Sequence, residues 1–319
     1  MNPTPPAANA PWERVTPPTC QSGGSPFWHP LEERLYWVDK GQARIWRLHV
    51  PSGHAEFWPL SQTPGSIAPC RSGALLLAQR DGIYRCDSWR AFSFRLAEAP
   101  YDSARVHFGG GQCDLWGRFW VGSCADDGAT ADGGLYCLHQ FDRSRLQLLQ
   151  VAGGVVASDG LAWSPDGRTQ YWNDPCRGEV RTFALASAGR WPPDLGAPLT
   201  IARFEPRPLD WSFEQAGAAG YVGRPGGAAV DRNGNYWVAM HEGARVLCLS
   251  PQGQRLAELA TPAQCPTAVC FGGHDMRTLY LTTERAGRSA AELAHCPDSG
   301  AVFALRMDTP GLPTAFYED

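Results

Sequence analysis

Six stretches of aromatic and β-branched residues punctuate this chain, each bounded by turns rich in Gly, Pro or Asp. They read Arg34-Leu35-Tyr36-Trp37-Val38-Asp39, Ala74-Leu75-Leu76-Leu77-Ala78, Arg118-Phe119-Trp120-Val121-Gly122, Thr169-Gln170-Tyr171-Trp172-Asn173-Asp174, Asn235-Tyr236-Trp237-Val238-Ala239 and Thr278-Leu279-Tyr280-Leu281-Thr282. Each is followed by a second apolar stretch: 43–48, 82–86, 134–138, 179–183, 245–249 and 301–305. Hairpin turns such as Pro51-Ser52-Gly53 and Pro251-Gln252-Gly253 follow several of these, with Gly supplying positive φ and Pro presetting the first corner. The unit recurs about every 40 to 65 residues, the period of a propeller blade whose small antiparallel sheet cannot bury both faces alone. The pattern predicts an all-β, six-bladed β-propeller over residues 19–319, with a Pro- and Ala-rich segment at 1–18. A plain β-sandwich accounts less well for six repeats of one strand–turn–strand order.

Composition narrows the reading. The 319 residues, 43% hydrophobic, suffice for one large β domain, and 35 Gly, 27 Pro and 13 Trp suit many turns and broad aromatic packing. Net charge is −4 and no basic run occurs, which argues against a nucleic-acid partner. No apolar stretch reaches the ~18 residues of a membrane span, and the N-terminus lacks a signal-peptide core. The 11 cysteines include no Cys-x-x-Cys pair and read as reduced thiols of a cytoplasmic protein, with Cys265 and Cys270 as core. The single lysine, Lys40, receives no role at this level. Neither a Gly-x-Ser-x-Gly elbow nor a Gly-x-x-x-x-Gly-Lys loop is present.

Propellers bind ligands where the loops before the channel-lining strands converge at one mouth. If the aromatic stretches line the channel, those loops are 22–28, 63–67, 107–114, 157–163, 223–228 and 265–269, and they are rich in glycine.

These segments resemble the SMP-30, gluconolactonase and regucalcin family of six-bladed propellers. The resemblance rests on Ser25-Pro26-Phe27-Trp28 with Arg34–Asp39, Gly117–Gly122, Gly160-Leu161-Ala162-Trp163-Ser164-Pro165-Asp166-Gly167-Arg168 and Cys270-Phe271-Gly272-Gly273. It covers nearly the whole chain and implies hydrolysis of sugar lactones or related esters with one divalent cation at the mouth. The pattern also implies cation ligands that this chain lacks. The first-loop Glu is Gly24, the third-loop Asn-Asp-Gly is Gly109-Gly110-Gly111, the fourth-loop Asn is Asp159 and the fifth-loop Pro-Asp-Gly is Pro225-Gly226-Gly227. A substrate-binding Arg is His107.

The resulting expectation is metal-free chemistry on a lactone, ester or related carbonyl compound held in the central channel, with no cofactor. Asp159 and His107 would exchange protons, Arg224 would anchor an anion, and Tyr221, His241, Glu242 and Gln112 would complete the binding site. Two alternatives remain open: a metal-dependent lactonase holding Ca²⁺, Zn²⁺ or Mn²⁺ weakly through Asp159, water and Glu242, and a propeller that binds a small ligand without turnover. Segment 206–221, with Trp211, Phe213 and Tyr221, is expected to be either a lid or a surface insertion. Ring closure is also open, since Thr314–Tyr317 either pairs with the blade holding 12–15 or stays with its own.

Overall fold

The computed structural model describes residues 11–17, 19–142, 145–187, 189–215 and 220–319. Six four-stranded antiparallel sheets form a ring of blades. Blade I runs Gly23–His29, Arg34–Asp39, Arg44–His49 and His54–Pro59 from axis to rim. Blades II to V repeat this order, with innermost strands Pro64–Pro69, Val106–Cys113, Asp159–Trp163 and Arg224–Val230. Blade VI is made from both ends of the chain. Its inner strands are Pro266–Gly272, Thr278–Thr283 and Val302–Arg306, and its outer strand is Glu13–Arg14. Glu13 pairs with Ala304 and Arg14 with Phe303, so the ring closes through residues expected to belong to the N-terminal segment. Residues 1–10 of that segment lie outside the described residues.

The aromatic stretches are the second strands of the blades. The innermost strands are the glycine-rich segments that had been expected to be loops. Glycine disfavours a strand locally, but several positions at the axis leave no room for a side chain. A Cβ on Gly65 would sit 2.0 Å from Phe108 O, and one on Gly227 2.3 Å from Ala268 Cβ. The aromatic residues fill the spaces between blades instead. Trp37, Trp120 and Trp172 are fully buried there, and Tyr171 stacks on Tyr236 across blades IV and V at 4.7 Å.

Every innermost strand carries a register irregularity near its start: between Gly24 and Phe27, Pro64 and Ser66, Phe108 and Gly111, Asp159 and Ala162, Pro225 and Ala228, and Pro266 and Ala268. Such bulges bend a strand and re-aim its side chains, and here all six lie at the same end of the channel. The other end is covered by the C-terminal tail. Leu312 N–H donates to Val230 O, Thr314 Oγ1 to Trp28 O, Tyr317 N–H to Pro69 O and Glu318 N–H to Gly117 O. The tail thus joins neither the blade of residues 12–15 nor its own. It crosses the base of the channel from blade V through blades I and II to blade III. No helix among the described residues is long and apolar enough to cross a membrane.

Candidate functional site

The bulged end opens into a cavity of about 310 Å³. Gly24, Gly110, Asp159 and Gly226 all line it, so the positions singled out in the sequence do converge on one space. Arg224, His241, Glu284 and Lys40 complete its charged wall. Below lies a narrower space of about 100 Å³, lined by Gln112, Phe27, Phe271 and the tail residues Leu312 and Pro313. Asp159 and Gly110 border both, at the junction between mouth and channel.

Asp159 owes its position to the bulge and to the residue after it. Gly160 has φ +65°, and a Cβ there would lie 2.1 Å from Asn173 Nδ2. Behind it, Asn173 Nδ2 donates to Gly226 O at 2.8 Å, and Tyr236 OH donates to Gly160 O at 2.6 Å. These bonds fasten the inner strands of blades IV and V together. Asp159 Oδ1 accepts from Gly160 N–H at 2.8 Å. Burial pushes its pKa above the usual carboxylate value, while the charge of Lys40, the Gly160 N–H and His241 work against that rise.

On the opposite wall, His241 ends the second strand of blade V, in register with Arg224. Its Nδ1 lies 3.1 Å from Arg224 Nη2 and its Nε2 3.4 Å from Glu284 Oε1. Burial opposes a charge on this ring, but bonds to Cys265 and Glu284 outweigh it and raise the pKa to about 10. The ring is therefore charged near neutral pH, and two positive groups, the His241 imidazolium and the Arg224 guanidinium, stand 3.1 Å apart on this wall. An anion placed against both relieves their repulsion. Arg224 Nε is buried without a hydrogen-bond partner. Glu284 also accepts from Ser22 Oγ at 2.8 Å, and despite its burial these bonds depress its pKa to about 2.

The other expected site residues stand elsewhere. His107 does not pair with Asp159; its Nδ1 lies 2.7 Å from Asp126 Oδ1, and Asp126 is held in turn by Arg80 at 2.8 Å. Neither cavity is lined by His107. Glu242 turns away from the mouth. It has φ +65° and is 3% exposed, and its carboxylate meets Arg207 at 2.9 Å, Tyr221 OH at 2.9 Å, Arg224 at 3.5 Å and Arg288 at 3.5 Å. It serves as the counter-charge that holds Arg224 in place, and Tyr221 is part of that buried cluster. Gln112 lines the lower space only.

Segment 206–221 is fastened by the same cluster. Arg207 bonds Glu242, and Trp211 is buried edge-on against Tyr221 at 6.1 Å. Residues 206–215 line neither cavity, and residues 216–219 of this segment, read as either a lid or a surface insertion, lie outside the described residues.

The residue that sequence reasoning missed is Lys40. It opens a 3₁₀ turn at the end of the second strand of blade I. The buried Asp39 clamps this turn, accepting from Ser22 N–H at 3.0 Å, Gly41 N–H at 3.1 Å and Gln21 N–H at 3.1 Å, while Lys40 N–H donates to Ser22 O at 2.8 Å. A chain with one lysine placed directly after a strand-ending Asp carried the signal, but not the direction of the side chain.

Fold and mouth together define a six-bladed propeller with a ligand-sized opening at one end of the channel and a covered base. The chain belongs to the SMP-30/gluconolactonase/LRE-like family, whose model matches residues 22–285. It is similar to a Pseudomonas putida protein named 6-deoxy-6-sulfogluconolactonase, with 37% identity over 289 residues, 91% of this chain and 92% of that one. It is 28% identical to regucalcin of Danio rerio over 301 residues, 92% and 94% of the two chains. Among solved structures, a calcium-binding protein, regucalcin, from Agrobacterium tumefaciens superposes with a TM-score of 0.84 at 20% identity, covering 98% of this chain and 100% of that one. A gluconolactonase from Xanthomonas campestris gives 0.70 at 19% identity, covering 97% and 94%. At such identities these structures establish the fold alone.

Proposed function

We propose that this protein hydrolyses a sugar-acid lactone or related ester carrying an anionic group, with Asp159 as general base and without a divalent cation. The observation that carries the reading is the make-up of the mouth. Glycine stands at positions 24, 110 and 226, and Asp159 is the one carboxylate there not already bonded to another side chain. Among the described residues, no group of three or more His, Cys, Asp and Glu side chains is placed to hold a metal ion. A Ca²⁺ site needs about six to eight oxygen ligands and a Zn²⁺ site about four ligands. The donor set does not fit such an ion, and Glu242, held by Arg207 and Tyr221, does not reach the cavity to supplement it.

The anionic group follows from Arg224, His241 and the name of the Pseudomonas relative. Arg224 presents a guanidinium to the cavity, and the charged His241 ring stands beside it. An oxyanion at the distal end of a sugar acid fits that wall. Hydrolysis of 6-deoxy-6-sulfogluconolactone and of D-glucono-1,5-lactone should proceed undiminished in EDTA, with the sulfonated lactone preferred. Turnover of neither lactone, or turnover only after Mn²⁺, Zn²⁺ or Ca²⁺ is added, overturns the reading. Arg224→Gln should raise KM for the sulfonated lactone by about tenfold, the ~1.4 kcal/mol of one charged contact, with kcat little changed. Equal effects on the sulfonated and neutral lactones would place Arg224 outside anion recognition.

A further inference from the structure

We infer that the Lys40 ammonium takes the place of the family's divalent cation: a built-in positive charge that polarises the substrate carbonyl and holds the oxyanion formed on it. The catalytic part of this inference rests on the lactonase reading above; the placement of the charge does not.

Three observations carry it. Lys40 lines the same cavity as Asp159 and Gly24. A Cβ built on Gly24 would meet Lys40 Cε at 3.5 Å and Nζ at 3.9 Å, so the ammonium sits beside the space that a side chain at position 24 would enter. Among the described residues, Lys40 makes no ion pair within 4.0 Å, and yet its charge is the leading influence holding down the Asp159 carboxyl against burial. The cation and the base thus share one cavity without forming an ion pair, and on this inference the substrate carbonyl and its attacking water stand between them. The backbone of Lys40 is locked by Asp39 and Ser22, which fixes the root of the side chain before substrate arrives. Preorganised charge of this kind stabilises a developing oxyanion at little reorganisation cost.

The chemistry balances. Asp159 takes a proton from water as the water oxygen bonds to the carbonyl carbon. The carbonyl π electrons move to oxygen, and the Lys40 ammonium faces that oxyanion. When the tetrahedral intermediate collapses, the ring C–O bond breaks, the leaving alkoxide takes the proton back from Asp159, and an open hydroxy acid remains. Lys40 keeps its protons throughout.

Two measurements on the full-length protein separate this inference from the function it serves. The first is Mn²⁺ binding, read by electron paramagnetic resonance, for the wild type, Gly24→Glu, Lys40→Met and the Gly24→Glu/Lys40→Met pair. A Cβ at 24 meets only the side chains of Lys40 and Val38, at 3.5 Å or more, so these variants should fold. The pair, with an added carboxylate in the cavity and no ammonium beside it, should bind Mn²⁺ at least tenfold more tightly than Gly24→Glu. Equal binding by the pair and Gly24→Glu, at any level, overturns the placement of the charge. The second is lactone turnover. Lys40→Met should lower kcat by about 10²- to 10³-fold, the loss seen when one oxyanion donor is removed. Lys40→Arg, which keeps the charge, should recover part of it. Unchanged kcat in Lys40→Met overturns the catalytic role. A wild type that turns over no lactone, together with Mn²⁺ binding as expected, defeats the lactonase reading and this catalytic role with it, and leaves the placement standing. An amide between Lys40, the chain's only lysine, and the opened lactone, read as the added lactone mass on the Lys40 peptide during turnover, would mean that the amine attacks the carbonyl and expels the ring alkoxide, and would also overturn the electrostatic role.

Discussion

Asp159→Asn should lower kcat for lactone hydrolysis by about 10²- to 10⁴-fold, the contribution of a positioned general base, and leave the fold intact. The side chain sits where mouth meets channel, and its Oδ1 accepts from Gly160 N–H, a bond that an asparagine oxygen keeps. What the substitution removes is the ability to take a proton. The wild-type pH profile tests the same group independently. Burial raises the pKa of Asp159, so its basic form is lost on acidification earlier than that of an ordinary aspartate. Turnover should therefore fall with decreasing pH through a midpoint above the usual value of about 3.9, and that limb should be absent from the residual activity of Asp159→Asn. His107→Ala gives the contrast. His107 is bonded to Asp126 and lies off both cavity walls, so its loss should leave kcat close to wild type. A normal kcat in Asp159→Asn with a depressed one in His107→Ala would reverse the two roles.

The largest expected effect on stability lies far from the mouth. Asp114→Ala should destabilise the protein by about 3–5 kcal/mol, the loss when one partner of a buried ion pair is removed and the other stays. Asp114 folds the turn between the first and second strands of blade III. One carboxylate oxygen accepts from Trp116 N–H at 2.9 Å and Arg118 N–H at 3.0 Å; the other accepts from Arg118 Nε at 2.6 Å and the Trp120 indole at 2.8 Å. The Arg118 side chain is 1% exposed, so without Asp114 its charge is stranded. Blade V repeats the device with Asp231, which accepts from Asn233 N–H, Asn235 N–H and the Trp237 indole, but no arginine is involved. Asp231→Ala should accordingly cost less, about 1–3 kcal/mol. Thermal unfolding of the two variants decides the matter: equal losses would show that the ion pair adds nothing beyond the turn.

The blade count was legible because aromatic and β-branched residues must pack between sheets, and that requirement imprints itself on every repeat. The inner strands were not legible, because their composition answers to crowding at the axis. Gly65 and Gly227 look like turn residues locally, yet each faces a neighbouring strand at a distance no Cβ could occupy. The site divides in the same way. Gly24, Gly110, Asp159, Arg224 and His241 belong to strands, or follow bulges, whose register the repeat fixes, and they do meet. Glu242 neighbours His241 in sequence, but its positive φ turns it into a pocket of arginines. Lys40 escaped notice because the path of a long side chain depends on what stands opposite. Here that is Gly24, which leaves room for it.

The ring has a bearing on how the protein is made. Its last blade takes its outer strand, Glu13–Arg14, from ahead of the first blade and its other three from beyond the fifth, so the two parts leave the ribosome far apart in time. During synthesis the early strand has no partner until Val302–Arg306 emerges. Up to that moment the flanks of the first and last blades, with Trp28, Trp37 and Tyr280 among their packing residues, have nothing to cover them. A chain released early cannot latch and keeps those flanks bare, which marks it for aggregation or proteolysis. Only a polypeptide read through Val302–Arg306 can hide them, so the joint that seals the propeller also acts as a check that synthesis has passed the last blade.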